Sequence, residues 1–158
     1  MKIIGVVVAD SGAAIVTVER DEDNALLCTA IERLPFDLAE VIERVETLDD
    51  PDLNFMIDSD GLGSALWTFL GGPGNAQHFQ LYTGRGLERQ ALVDELLVAI
   101  AEGRFHFASA IPEQPAMSKA MVSYRRQVKD DGVIGSELVV ALLLALRPPP
   151  VEAWFAYA

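Results

Sequence analysis

The sequence predicts an α/β domain: a mixed five-stranded sheet, built from a three-strand antiparallel meander and two parallel strands and flanked by helices. Three observations carry this expectation. The first third holds three runs rich in β-branched residues, separated by connections too short to contain a helix. From Pro35 onward, segments with apolar residues at helical spacing alternate with short strand-like runs, the pattern of parallel strands joined through helices. The chain has 158 residues, 51% of them apolar, which suffices for one full core, so residues 1–158 are read as a single domain.

The elements follow in order. Residues 3–9 are continuous and β-branched, as in a central strand buried on both faces. Asp10-Ser11-Gly12 is a turn signal. Residues 13–20 form a second strand, Asp21-Glu22-Asp23-Asn24 a polar hairpin loop, and residues 25–34 a third strand. Pro35 interrupts, after which Leu38, Val41, Ile42, Val45 and Leu48 fall at helical spacing across 36–48. Pro51 lies in the break before a fourth strand at 53–57. A short helix at 61–70, a loop at Gly71-Gly72-Pro73-Gly74 and a fifth strand at 77–82 come next. Residues 87–102 read as a long amphipathic helix with Leu92, Leu96, Leu97 and Ile100 on its apolar side, ended by Gly103. Phe105-His106-Phe107 suits a short strand but is not counted among the five; 117–127 suits a helix. Residues 136–146 form a buried helix stopped by Pro148-Pro149-Pro150, and the aromatic tail Trp154-Phe155-Ala156-Tyr157 suits docking on the domain or on a partner. The order β-β-β-α-β-α-β-α is the ribonuclease H-like arrangement, in which the first and fourth strands lie side by side.

Composition narrows the chemistry. No apolar run reaches the length of a bilayer span, and the opening residues read as mature structure rather than a signal peptide. A lone cysteine, Cys28, excludes an internal disulfide and points to a reducing cytoplasm; two histidines disfavour a zinc site. The net charge of −12, taken alone, argues against nucleic-acid binding. Residues 85–129 break that trend with 7 basic and 5 acidic side chains, and Arg85, Arg89, Lys119, Arg125, Arg126 and Lys129 are the candidates to meet a phosphate backbone. Gly71–Gly74 lacks the Lys-Ser/Thr of a phosphate-binding loop, and no serine stands in a nucleophile elbow. His78 and His106 lie in apolar, strand-like contexts and read as structural.

Three acids stand where secondary structure changes. Asp10 closes the first strand, Asp58 the fourth, and Glu137 opens the last helix. Each has a plain structural role available: turn formation for Asp10, capping of the next helix by Ser59 or Asp60, and a favourable acid at a helix N-terminus for Glu137. In the expected fold, strand ends bring Asp10 and Asp58 near each other. Glu137, Ala141 and Ala145 share one helix face, and the small residues let the helix lie close to the sheet and aim Glu137 into it. Carboxylates gathered in one pocket repel unless cations sit between them. Hard oxygen ligands suit Mg²⁺ or Mn²⁺, and a metal pair suits phosphodiester cleavage.

These motifs resemble the nuclease domain of phage large terminase subunits, over nearly the whole chain. Ala9-Asp10-Ser11-Gly12 resembles the first motif, with an abbreviated turn. Ile57-Asp58-Ser59-Asp60-Gly61-Leu62-Gly63 resembles the second, and Glu137-Leu138-Val139-Val140-Ala141 the last, with Glu137 where the family usually has Asp. Residues 92–107 are similar to the family's helix leading to a short strand. The resemblance implies an endodeoxyribonuclease using two Mg²⁺ or Mn²⁺ ions, with Asp10, Asp58 and Glu137 as catalytic ligands and Asp60 or Asp131 auxiliary. It implies double-stranded DNA as substrate, a packaging ATPase or portal protein as partner, and the host cytoplasm as location. Two alternatives share the fold: a non-catalytic docking module and a Holliday-junction resolvase-like nuclease.

Overall fold

The apolar run at the start of the chain forms the middle of a sheet. The structure, a computed structural model, describes residues 1–84, 87–127 and 137–146, with the side chains at 87 and 125–127 set aside. Strands β1 (Lys2–Ala9) and β2 (Gly12–Arg20) pair antiparallel from Lys2↔Glu19 to Ala9↔Gly12, joined by Asp10-Ser11 alone. Strand β3 (Leu26–Leu34) continues the meander on β2. Strand β4 (Asn54–Asp58) lies parallel to β1 on its other side, and β5 (Phe79–Tyr82) lies parallel to β4. The expected adjacency of the first and fourth strands is therefore present.

The strand count departs from expectation. β6 (Phe105–Phe107) pairs parallel with Leu26–Cys28 of β3, giving six strands among the described residues in the order β5-β4-β1-β2-β3-β6. Three residues show too little periodicity to be counted from sequence. What makes them a strand is the otherwise open edge of β3, whose backbone groups need partners.

Helices cover both faces. α1 (Leu38–Leu48) starts at Asp37, whose carboxylate accepts from the amides of Ala39 and Glu40. With α2 (Gly63–Phe69) it covers one face, where Ile4, Val6, Val8, Ile15, Phe55 and Ile57 meet Val41, Val45 and Leu66. The opposite face carries Val7, Val16, Cys28 and Met56 against α3 (Leu87–Ala101), α4 (Gln114–Gln127) and α5 (Glu137–Ala145). Every residue from Glu137 to Leu146 is buried, as its near-continuous apolar sequence requires. The small face expected on this helix does meet the sheet: a Cβ built on Gly5 of β1 would fall 1.9 Å from the Ala141 carbonyl oxygen and 3.1 Å from the Ala145 nitrogen.

The buried stripe of α3 differs from the expected one. Leu92, Val93, Leu96 and Ala99 are buried, whereas Leu97 and Ile100 are exposed and line an apolar groove with Phe105 and Met121. The helix is apolar around much of its girth, so spacing alone does not choose the stripe; the approach of α5 and β6 does. His78 packs edge-on to Phe55 and pairs with Asp49, and His106 contacts the Gly103 carbonyl, both structural roles. The tail at 154–157 lies outside the described residues.

Cys28 sits fully buried on β3, and burial pushes its thiol up to about 12 despite the Ala30 carbonyl nearby. Thiolate is then scarce at neutral pH. We expect no reaction with a disulfide reagent at pH 8 in the native protein and one reactive thiol after unfolding in guanidinium. Prompt native labelling would contradict the packing of this strand.

Candidate active site

Asp58 is the last residue of β4 and is only 3% exposed. The pleat puts it, with Met56 and its β5 neighbour Tyr82, on the face covered by α3, α4 and α5. The chain then doubles back over the end of β1. Ser59 N–H donates to the Tyr82 carbonyl (2.9 Å) and Leu62 N–H to the Val8 carbonyl (3.0 Å). This return needs glycine twice. Gly61 has φ +61°, and a Cβ there would be 2.1 Å from the Val8 oxygen; a Cβ on Gly63 would be 1.5 Å from the Asp58 carbonyl oxygen. Neither Ser59 nor Asp60 caps α2, which starts at Leu62 without a side-chain bond. Asp60 instead donates its backbone N–H to Asp58 Oδ1 (3.5 Å) and turns its carboxylate toward α3.

A single guanidinium nitrogen of Arg89 joins the two acids. It lies 3.5 Å from Asp58 Oδ1 and 3.7 Å from Asp60 Oδ2. The Arg89 guanidinium also lies near the Tyr124 phenol on α4. Burial pushes that phenol above its usual value; the neighbouring Arg89 guanidinium opposes the shift, and the Asp58 charge adds to it.

Glu137 forms a second group. It begins α5, is 7% exposed, accepts a hydrogen bond from the Ser11 hydroxyl (3.0 Å) and lies 3.6 Å from Arg33. Arg33 reaches it through a β-bulge. Thr17 pairs with Ala30 but Val18 with Cys28, so Thr29 is the extra residue of β3. The insertion reverses the alternation: Leu26 and Cys28 before it, and Ile31 after it, all join the core under α5, and Arg33 follows them to Glu137. Glu32, on the other face, pairs with Arg44 of α1 at 2.7 Å.

The structure brings the predicted acids only partly together. Asp58 and Glu137 both lie under the α3–α5 face, at the carboxyl ends of β1 and β4. Asp10 is exposed in the two-residue turn and makes no hydrogen bond or ion pair with a described residue. Val6 stands beside Ile57, so Asp10 lies three residues past the level of Asp58, about 10 Å at the usual strand rise. Among the described residues no three potential ligands approach closely enough to hold a metal ion. Asp131 lies outside the described residues.

Of the six basic candidates, Arg85 and Lys129 lie outside the described residues and the side chains of Arg125 and Arg126 are set aside. Lys119 is exposed on α4. Arg89 points inward, to Asp58 and Asp60, where the sequence suggested a phosphate contact. Ser11, Arg33 and Tyr124 are site residues the sequence did not single out. Only Ser11, one position from Asp10 in the first motif, carried a usable signal.

No protein-family model matches the chain, and neither does any curated protein sequence. Solved structures do match. The P22 large terminase nuclease domain superposes with a TM-score of 0.62 at 14% identity, covering 90% of this chain and 78% of that one. The bacteriophage SPP1 large terminase nuclease domain, solved with bound Mn, gives 0.53 at 10% identity over 91% and 84%. The chain has the ribonuclease H-like fold. The fowlpox virus Holliday junction resolvase gives 0.50 at 15% identity over the full length of both chains. These likenesses agree with the resemblance read from the motifs.

The donors fit a hard divalent cation in kind. Asp58, Asp60 and Glu137 offer only carboxylate oxygens, and Arg89 already places positive charge between the first two.

Proposed function

We propose that this chain is a metal-dependent DNA endonuclease acting in phage DNA packaging. The observation that carries the reading is the Asp58–Asp60 pair at the carboxyl end of β4, beside β1, with positive charge held between the two carboxylates. Asp58 and Asp60 would hold Mg²⁺ or Mn²⁺, joined by Glu137, Asp10 or Asp131 from the neighbouring segments. Bound metal would supply Lewis-acid stabilisation of the phosphoryl oxygens and a nucleophilic water; a two-ion site is the form proposed. The chain's own residues set the stage. Burial fixes the Asp58 carboxylate against the sheet, and the Gly61–Gly63 return keeps Asp60 on the same side. Ser11 and Arg33 hold Glu137 toward the turn that bears Asp10. Lys119 and the neighbouring basic segment would meet the backbone of double-stranded DNA. A packaging ATPase or portal protein as partner, and the host cytoplasm as location, complete the reading.

Incubating supercoiled plasmid with the protein and Mg²⁺ or Mn²⁺ tests it: nicked and linear DNA should appear and EDTA should stop the reaction. Cleavage that persists in EDTA would reject metal chemistry. The second reading, a non-catalytic docking module, is favoured by Asp58 and Glu137 already having arginine partners and by Asp10 standing apart. It predicts no cleavage and no Mn²⁺ heat with an intact fold. The full-length likeness to the fowlpox Holliday junction resolvase favours adding a four-way junction to the assay; preferential cleavage of the junction over linear duplex, by a stable dimer, would support a resolvase-like nuclease.

A further inference from the structure

We propose that Arg89 is the resident counter-ion of the Asp58–Asp60 pair, that a divalent cation must displace it, and that the displaced guanidinium then contacts the DNA phosphate. The inference rests on the nuclease reading and names how that site couples metal to substrate.

Four observations support it. The same terminal nitrogen of Arg89 approaches an oxygen of each carboxylate, at 3.5 and 3.7 Å, so its charge occupies the space between them. Both distances exceed those of a strong charge-assisted hydrogen bond, about 2.7–2.9 Å, so the contact is a loose ion pair that a cation at metal–oxygen distance can replace. Asp58 is buried whereas Arg89 is a quarter exposed, so the arginine reaches the acid from the solvent side, where DNA would approach. The Tyr124 phenol lies near the guanidinium and is available to it after displacement, and Arg89 stands in the first turn of α3, within the basic segment. Arginine suits both roles, because its fork spans two carboxylates in one state and a phosphate in the other.

Competition raises the apparent dissociation constant for metal by the inverse of the fraction of time the carboxylates are open. A guanidinium seated on them about nine-tenths of the time weakens Mn²⁺ binding about tenfold. The test is calorimetric Mn²⁺ titration of the full chain without DNA, with melting in EDTA and in Mn²⁺, for wild type, Arg89→Gln and Arg89→Lys. Arg89→Gln should bind Mn²⁺ about tenfold tighter, melt lower in EDTA and regain its melting temperature in Mn²⁺. Arg89→Lys keeps a charge without the fork, so it should fold in EDTA and bind Mn²⁺ with intermediate affinity. If Arg89→Gln does not fold without metal, the wild-type and Lys comparison still decides. In a fluorescence assay with labelled duplex and Ca²⁺ in place of the active metal, the gain in DNA affinity on adding cation should shrink in Arg89→Gln. Mn²⁺ affinity equal to or weaker than wild type in both variants would overturn the counter-ion role while leaving the nuclease reading standing. Absence of Mn²⁺ heat in all three proteins would overturn both.

Discussion

Asp58→Asn is expected to lower Mn²⁺-dependent plasmid cleavage by about three orders of magnitude, the several kcal/mol of transition-state charge stabilisation that a mispositioned metal loses. Asn keeps the size and one oxygen of the side chain but not its charge, so strand β4 should remain in place. The fold should weaken only modestly, by about 1–2 kcal/mol, because Arg89 keeps Asp60 as a partner and is a quarter exposed to water. Cleavage rates and urea midpoints measured on the same preparations separate the two effects. Undiminished cleavage by a folded Asp58→Asn protein would remove Asp58 from the chemistry and with it the main support for the nuclease reading. The parallel Asp10→Asn variant is informative because Asp10 stands away from the pair: a large loss there would mean that substrate or metal draws the β1–β2 turn toward Asp58.

Gly5→Ala is expected to be the most damaging small substitution in the sheet. The added methyl would lie 1.9 Å from the Ala141 carbonyl oxygen and 2.9 Å from its carbon, both backbone atoms of a helix that cannot yield locally. Ordinary overpacking costs about 1–3 kcal/mol because side chains move; here α5 itself must lift from β1, so the cost should exceed about 3 kcal/mol. That is a large fraction of the roughly 5–15 kcal/mol by which domains of this size are stable. Lifting α5 also moves Glu137 away from Ser11 and Arg33, so cleavage should fall together with stability. Gly74→Ala is the control: nothing lies within 4 Å of the added atom, and the change should stay within about 0.5 kcal/mol. A Gly5→Ala protein with an unchanged denaturation midpoint would contradict the close seating of α5.

Much of this architecture was legible beforehand because the signals were local. β1 and β2 announce themselves through unbroken β-branched runs, and the two-residue link Asp10-Ser11 leaves no alternative to an antiparallel pair. α5 is apolar nearly all round, which demands burial, and Ala141 and Ala145 marked the face that meets the sheet. β6 was not countable, since three residues become a strand only when β3 offers an edge. The buried stripe of α3 is only half legible: Leu92 and Leu96 are inside, but Leu97 and Ile100 are not. In a helix with surplus apolar residues, its neighbours choose the stripe.

The site divides the same way. Asp58 was legible because a strand end followed by Asp60-Gly61-Leu62-Gly63 dictates a tight return, and the glycines needed for it are in the chain. Arg89 was legible as a charge but not as a partner of Asp58, 31 residues away. The sequence by itself determined most of the strand and helix order and the positions of three acids at element boundaries, because hydrophobic period and turn chemistry act over a few residues; the adjacency of β1 and β4 followed only from the fold that this order resembles. Tertiary structure alone decided which charges meet. The bulge at Thr29 turns Arg33 toward Glu137, the docking of α3 carries Arg89 to Asp58 and Asp60, and the offset of β1 past β4 leaves Asp10 apart. Those pairings depend on register and packing between distant segments, which no local pattern encodes.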